Sequence, residues 1–141
     1  MNIIGKQLKD TYTFRDGKLY FYDDLIVGEI NQGAHVSSET LLSFFQFFLE
    51  NYKVPFGYLS YRVNSYSIDP QVYSLLPKNN LLKGIAVVSN QKFSSLNAHV
   101  EKSLYKGRYE LFTTLEAAIH WLDKIVPLEN DDMNVSNNTI V

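Results

Sequence analysis

Between positions 62 and 70 the chain reads Arg62-Val63-Asn64-Ser65-Tyr66-Ser67-Ile68-Asp69-Pro70, which brings a guanidinium, an amide, two hydroxyls and a phenol into nine residues. Residues 56–62, following the Val54-Pro55 break, pattern as a strand. Asp69-Pro70 marks a helix start, because an aspartate accepts backbone N–H groups at the N-cap and proline suits the first helical position. The segment therefore runs from the carboxyl end of a strand to the N-terminus of a helix. In open α/β sheets ligands and regulatory contacts gather there, since free backbone N–H groups and the helix dipole favour an anion. The candidate recognition residues are Arg62, Asn64, Ser65, Tyr66, Ser67 and Asp69. Local structure uses the same residues equally well: Asp69 caps, Asn64 and the serines satisfy turn backbone, and Tyr66 packs.

Other chemistry finds no such concentration. Neither a Gly-x-Gly-x-x-Gly after a strand nor a Gly-x-x-x-x-Gly-Lys is present, and a Gly-x-Ser-x-Gly elbow is missing. His35, His99 and His120 are far apart and form no ligand-spaced pair, so no metal site is expected. The carboxylate pairs Asp23-Asp24, in a turn, and Asp131-Asp132, in the tail, lack the rigid support that acid–base work needs. With no cysteine in the chain, disulfides, zinc ribbons and thiol catalysis are excluded. The expectation is a protein without catalytic residues and without a cofactor.

The chain of 141 residues is the size of one domain, and its net charge of −2 provides no global attraction for nucleic acid. Lys102, Lys106 and Arg108 cluster locally, but Glu101 and Glu110 flank them, which reads as a solvated surface. No stretch reaches the ~20 apolar residues of a membrane span, and residues 1–6 carry no signal-peptide run, so a cytoplasmic location is expected. Asn134 and Asn137 open Asn-x-Ser/Thr triplets that carry no meaning without secretion.

The elements that must position the loop follow from periodicity. Residues 12–15 and 18–22 alternate about Asp16-Gly17, a turn dipeptide suited to positive φ, and predict an N-terminal β-hairpin. Residues 25–30 form a third strand. Ser37 or Ser38 caps a helix to about residue 52, with Glu39, Ser43, Gln46 and Glu50 as its polar stripe and Leu41, Phe44, Phe45, Phe48 and Tyr52 facing the core. Leu42, Phe47 and Leu49 widen that apolar arc beyond one sheet face. Neighbouring elements could cover them, or they form a homodimer or partner interface. A short helix after Pro70 carries Val72, Tyr73, Leu75 and Leu76 and ends at Pro77. The apolar run 85–88 fits a central parallel strand buried on both sides. A helix within 95–105 places Leu96, Val100 and Leu104 on one face. The strand 109–112 precedes a last helix, capped by Thr113 and Glu116, with Leu115, Ala118, Ile119, Leu122 and Val126 as its core stripe. The expected organisation is an N-terminal segment 1–11, an α/β domain 12–126, and a polar, disordered tail 127–141. Its fold class is α/β, with a mixed, mostly parallel sheet of four to six strands and about four helices.

The stretches 25–30, 56–62, 64–70 and 84–88, and above all the ending Leu111-Phe112-Thr113-Thr114-Leu115-Glu116-Ala117-Ala118-Ile119-His120-Trp121-Leu122, resemble the STAS-like family in its SpoIIAA-like branch, the fold of bacterial sporulation anti-anti-sigma factors. The resemblance spans roughly residues 12–125. It implies a four- or five-stranded mixed sheet with helices mainly on one face and a non-enzymatic regulatory role in protein–protein interaction, with another protein as partner. It also implies a phosphorylatable serine near the helix after the third core strand, where only Ser65 and Ser67 stand. The family's Asp-Ser-Ser or Asp-Ser-Gly signature is replaced here by Asn64-Ser65-Tyr66-Ser67, and a phosphate on Ser67 would meet repulsion from Asp69 unless Arg62 turned into the loop. The alternative reading is a small apolar-ligand, lipid-like binding module, because related folds hold such ligands and the many Phe and Tyr could line a pocket.

Overall fold

A computed structural model describes residues 1–76 and 79–127. Its elements run β1 (Asp10–Phe14), β2 (Gly17–Phe21), β3 (Leu25–Ile30), β4 (His35–Val36), α1 (Ser38–Asn51), β5 (Phe56–Tyr61), β6 (Ser67–Ile68), α2 (Val72–Leu75), β7 (Leu82–Val88), α3 (Lys92–Leu104), β8 (Tyr109–Phe112) and α4 (Leu115–Ile125). Six strands form one mixed sheet in the order β1-β2-β3-β5-β7-β8, while β4 and β6 make a separate two-stranded bridge. The hairpin β1–β2 and the β2–β3 pair are antiparallel; β3–β5, β5–β7 and β7–β8 are parallel. Of the expected tail 127–141, residues 128–141 lie outside the described residues, as does Pro77, the expected end of the short helix.

Two apolar layers explain why the strands are where they are. On one face Ile26, Tyr58, Ile85, Val87 and Tyr109 pack against Leu41, Phe45 and Phe48 of α1, Val72 and Tyr73 of α2, and Ala98 of α3. On the other, Val27, Leu59, Ala86 and Val88 pack against Ala118, Leu122, Ile125 and Val126 of α4. Alternate residues of β7 serve the two layers, and every residue from 82 to 88 is buried. That is the signature of a parallel strand covered on both sides. Among the described residues three helices thus lie on one face and α4 alone on the other.

Three local expectations change. Gly17 does not adopt a positive φ; the left-handed glycines are Gly5 and Gly33. Arg15 and Asp16 form the turn, and Gly17 already pairs with Phe14. A Cβ at Gly17 would collide with the Glu29 carbonyl of the neighbouring strand, so close approach and not turn chemistry selects glycine there. The N-cap of α4 is Thr114, whose hydroxyl accepts from Ala117 N–H at 3.2 Å. Thr113 lies one residue too early, and Ala117 at the third helical position cannot reciprocate, so there is no capping box. On α3, Leu96 and Val100 are exposed, while Ala98 and Glu101 are buried. The helix is rotated from the Leu96-Val100-Leu104 expectation because a glutamate occupies its inner face.

Candidate functional site

That glutamate meets Arg62. Arg62 directly follows β5, and its guanidinium turns into the layer beneath α2 and α3: Nη1 donates to Glu101 Oε2 at 3.0 Å and Nη2 to Glu101 Oε1 at 2.5 Å. Both are effectively removed from solvent, with side-chain exposures of 3% and 1%. Arg62 Nε donates to Ser60 Oγ at 3.0 Å, and Nη2 reaches Tyr73 Oη at 3.4 Å. Tyr109 Oη donates to Glu101 Oε1 at 2.6 Å. The guanidinium carbon lies 6.0 Å from the Tyr66 ring centre, and Tyr66 Oη shares a hydrogen bond of 3.4 Å with Ser60 Oγ.

A bidentate fork satisfied on every side is the arrangement in which a buried ion pair is tolerated. Burial works against the charge on Arg62, but Tyr66 and Glu101 beside it hold its pKa above the ordinary arginine value. Burial, with Glu101 facing them, raises the Tyr73 and Tyr109 phenols. The cluster is therefore one charged pair inside a ring of neutral hydroxyls.

Above this anchor the loop 62–70 is fastened to two neighbouring loops. Asn64 Nδ2 donates to the Ile30 carbonyl at 2.8 Å. Ser65 N–H donates to Gln32 Oε1 at 2.8 Å, and Ser65 Oγ donates to Gln91 Oε1 at 3.2 Å. Gly33 N–H reaches the Ser65 carbonyl, and Ser67 N–H reaches the Ala34 carbonyl, as part of the β4–β6 bridge. Gln91 Nε2 closes the circuit on the Val63 carbonyl at 3.1 Å. Ser67 Oγ and His35 Nδ1 share an exposed hydrogen bond of 2.7 Å. The carboxyl ends of β3, β5 and β7 thus carry three loops cross-linked into one rim.

The six expected recognition residues divide accordingly. Ser65, Ser67 and Asp69 are exposed, Asn64 and Tyr66 are half-buried, and Arg62 is buried. Arg62 offers a partner no surface and cannot turn outward to meet a phosphate. Asp69 does cap, but it caps a turn: Oδ1 accepts from Gln71 N–H at 3.0 Å, ahead of an α2 only four residues long. So short a helix has little dipole, and the N–H groups of Arg62, Ser65, Ser67 and Gln71 are already bonded. The expected anion preference of this helix start therefore loses its physical basis. Glu101, read from sequence as a surface charge beside Lys102, is the buried centre of the cluster. His35, which the sequence offers only as one of three scattered histidines, is placed beside Ser67 by no sequence signal.

The residues Leu42, Phe47 and Leu49 divide as well. Leu42 and Leu49 pack against the core. Phe47 is 52% exposed and borders a groove between the hairpin and α1. Among the described residues no helix is long and apolar enough to cross a membrane, and no group of three His, Asp or Glu side chains is placed to hold a metal ion.

No family model matches the chain, and no curated protein matches it. Among solved structures it is similar to an uncharacterised protein of the DUF3478 family with a SpoIIAA-like fold from Shewanella loihica PV-4. The two share 14% identity and a TM-score of 0.50, over 86% of this chain and 97% of that one. The fold of this chain is SpoIIAA-like.

Proposed function

We propose that the chain is a non-enzymatic interaction domain that meets a partner protein through the rim formed by the loops 31–36, 62–70 and 90–91. The cross-linking of that rim over the buried Arg62–Glu101 anchor is the observation that carries the reading. Ordering a loop on binding costs roughly 0.5–1.5 kcal/mol per immobilised side chain, and a rim held in place beforehand avoids most of that cost. Its outward residues are Val63, Ser65, Ser67 and Asp69 of the loop 62–70, Asn31, Gln32, Gly33 and His35 of the first loop and Asn90 of the third, with Val63 leaving 42% of its surface open. This set suits a mainly polar contact of amide and hydroxyl character around one apolar residue, Val63. Phosphorylation of Ser65 or Ser67 is no part of the reading, because Arg62 is committed to Glu101 and Asp69 stands close by in the chain.

Arg62→Ala and Tyr66→Ala are unsuitable tests, since both would disturb buried packing. Val63→Arg and Ser65→Arg alter the rim while leaving the core untouched. Immobilised wild type and the two variants, matched for melting temperature, are exposed to native lysate. A partner retained by the wild type and lost by both variants supports the proposal, and identical retention by all three refutes it.

A further inference from the structure

The hairpin edge holds a second surface that shares no residue with the rim. In the β1–β2 register Asp10 stands opposite Phe21 and Tyr12 opposite Leu19. Opposed residues share a sheet face, so Asp10, Tyr12 and Phe14 all alternate toward the face covered by α1. There Phe14 meets Phe44 edge-on at 4.8 Å between ring centres, and Phe21 meets Phe47 at 6.4 Å. Between strand and helix lies an open groove of about 600 Å³, within the size range of about 300–1,000 Å³ that holds small ligands.

The charge of this groove selects its occupant. Five aromatic rings border it, from Tyr12, Phe21, Phe44, Phe47 and Tyr52. Among its described lining residues Asp10 is the one side chain charged at neutral pH; Lys, Arg and His are absent from the lining. Tyr12 and Phe47 each leave 52% of their surface open. Ring faces carry negative quadrupole potential, and a carboxylate beside them adds to it. Such a surface repels a fatty-acid headgroup and attracts a weakly hydrated cation. We propose that the groove binds a hydrophobic organic cation of the alkylammonium class, its headgroup beside Asp10 and Tyr12 and its apolar body along Phe21, Phe44 and Phe47. Phe21 and Phe44 are held by core contacts, so the rings stand ready before the ligand arrives.

The test uses the full chain with octyltrimethylammonium, octanol and octane sulfonate, each below its aggregation concentration, followed by calorimetry and amide chemical shifts. The cation is expected to bind tightest and to shift residues of β1, β2 and α1. Asp10→Asn should weaken the cation about fivefold, the scale of one exposed charge contact, and leave octanol unchanged. Phe47→Ala should weaken every probe that binds. Asp10→Asn, at an exposed position, should retain the wild-type melting temperature, while Phe47→Ala, which gives up the half-buried ring's contact with Phe21, should lower it only modestly. Octanol binding as tightly as the cation, or Asp10→Asn leaving the cation's affinity unchanged, overturns the cation assignment. Absence of shifts at the groove with all three probes overturns the site itself.

Discussion

Replacing Glu101 with leucine would strip the buried Arg62 guanidinium of its counter-charge while leaving it beneath α2 and α3, where its side chain is 3% exposed. Breaking one partner of a buried pair costs about 3–5 kcal/mol. In a chain of this size each kcal/mol moves the melting temperature by roughly 3–4 °C, so the variant should melt ~10–20 °C below wild type. The double variant Arg62→Met, Glu101→Leu removes both charges and should recover most of that loss, because an apolar pair of similar volume avoids the desolvation of two ions. Recovery should stop short of wild type. Tyr109 Oη, which donates to Glu101 Oε1 at 2.6 Å, and Tyr73 Oη, which accepts from Arg62 Nη2 at 3.4 Å, are left without those partners, at a cost of about 1–3 kcal/mol for the shorter bond. Adding Tyr109→Phe removes one of the two orphaned hydroxyls and should close part of the remaining gap. Urea unfolding of the single, double and triple variants gives the free energies, and amide exchange over residues 63–69 reports whether the loop has loosened. A cost under about 1 kcal/mol for Glu101→Leu, or Arg62→Met and Glu101→Leu losses that simply add, would refute a buried, mutually dependent ion pair.

Further outcomes follow from other sites. Thr114→Ala should cost about 1 kcal/mol through loss of the N-cap bond to Ala117, and Thr113→Ala close to nothing; chemical denaturation of the two separates the observed cap from the one expected from sequence. Gly28→Ala should destabilise by about 1–3 kcal/mol, because its Cβ would meet the Tyr58 hydroxyl beneath α1; adding Tyr58→Phe should relieve part of the loss in the same melts. Gly33→Ala, at φ +76° in the rim, should cost about 1 kcal/mol from left-handed strain and loosen Ser65 in amide exchange. At alkaline pH the buried phenols of Tyr58, Tyr73 and Tyr109, raised chiefly by burial, stay protonated when folded and ionise when unfolded. Their stabilising contribution is complete below about pH 10 and is lost as pH rises above it, at about 1.4 kcal/mol per pH unit for each. Phenolate absorbance from these three should therefore appear together with loss of the fold, and gradual ionisation inside a folded protein would contradict their placement.

The helix α1 shows why so much of the fold was legible. Its polar stripe is set by repeat distance alone, and Leu41, Phe45 and Phe48 were bound to face inward whatever lay beneath them. The run 85–88 is of the same kind, since uninterrupted apolar residues of strand length must be covered on both faces. The helix α3 shows the opposite case. Its sequence offers two competing faces, one apolar through Leu96 and Val100 and one through Ala98 and Glu101. The presence of Arg62 in the layer beneath α3 makes the second the inner one. A periodicity argument assigns a glutamate to solvent because it cannot see a counter-ion 39 residues away.

The loop 62–70 divides along the same line. Its place between a strand and a helix, and its density of hydroxyl, amide and phenol groups, were determined by the sequence, because turn and cap preferences act over a few neighbouring residues. Which of those groups face outward was decided only by the tertiary structure. Arg62 is drawn inward by Glu101, Asn64 and Ser65 are spent on Ile30, Gln32 and Gln91, and Ser67 is set beside His35 by a bridge between β4 and β6. The physical reason is that a side chain's hydrogen-bond partner depends on what folding places within about 3 Å of it, and for every one of these residues that partner lies at least 26 positions away along the chain.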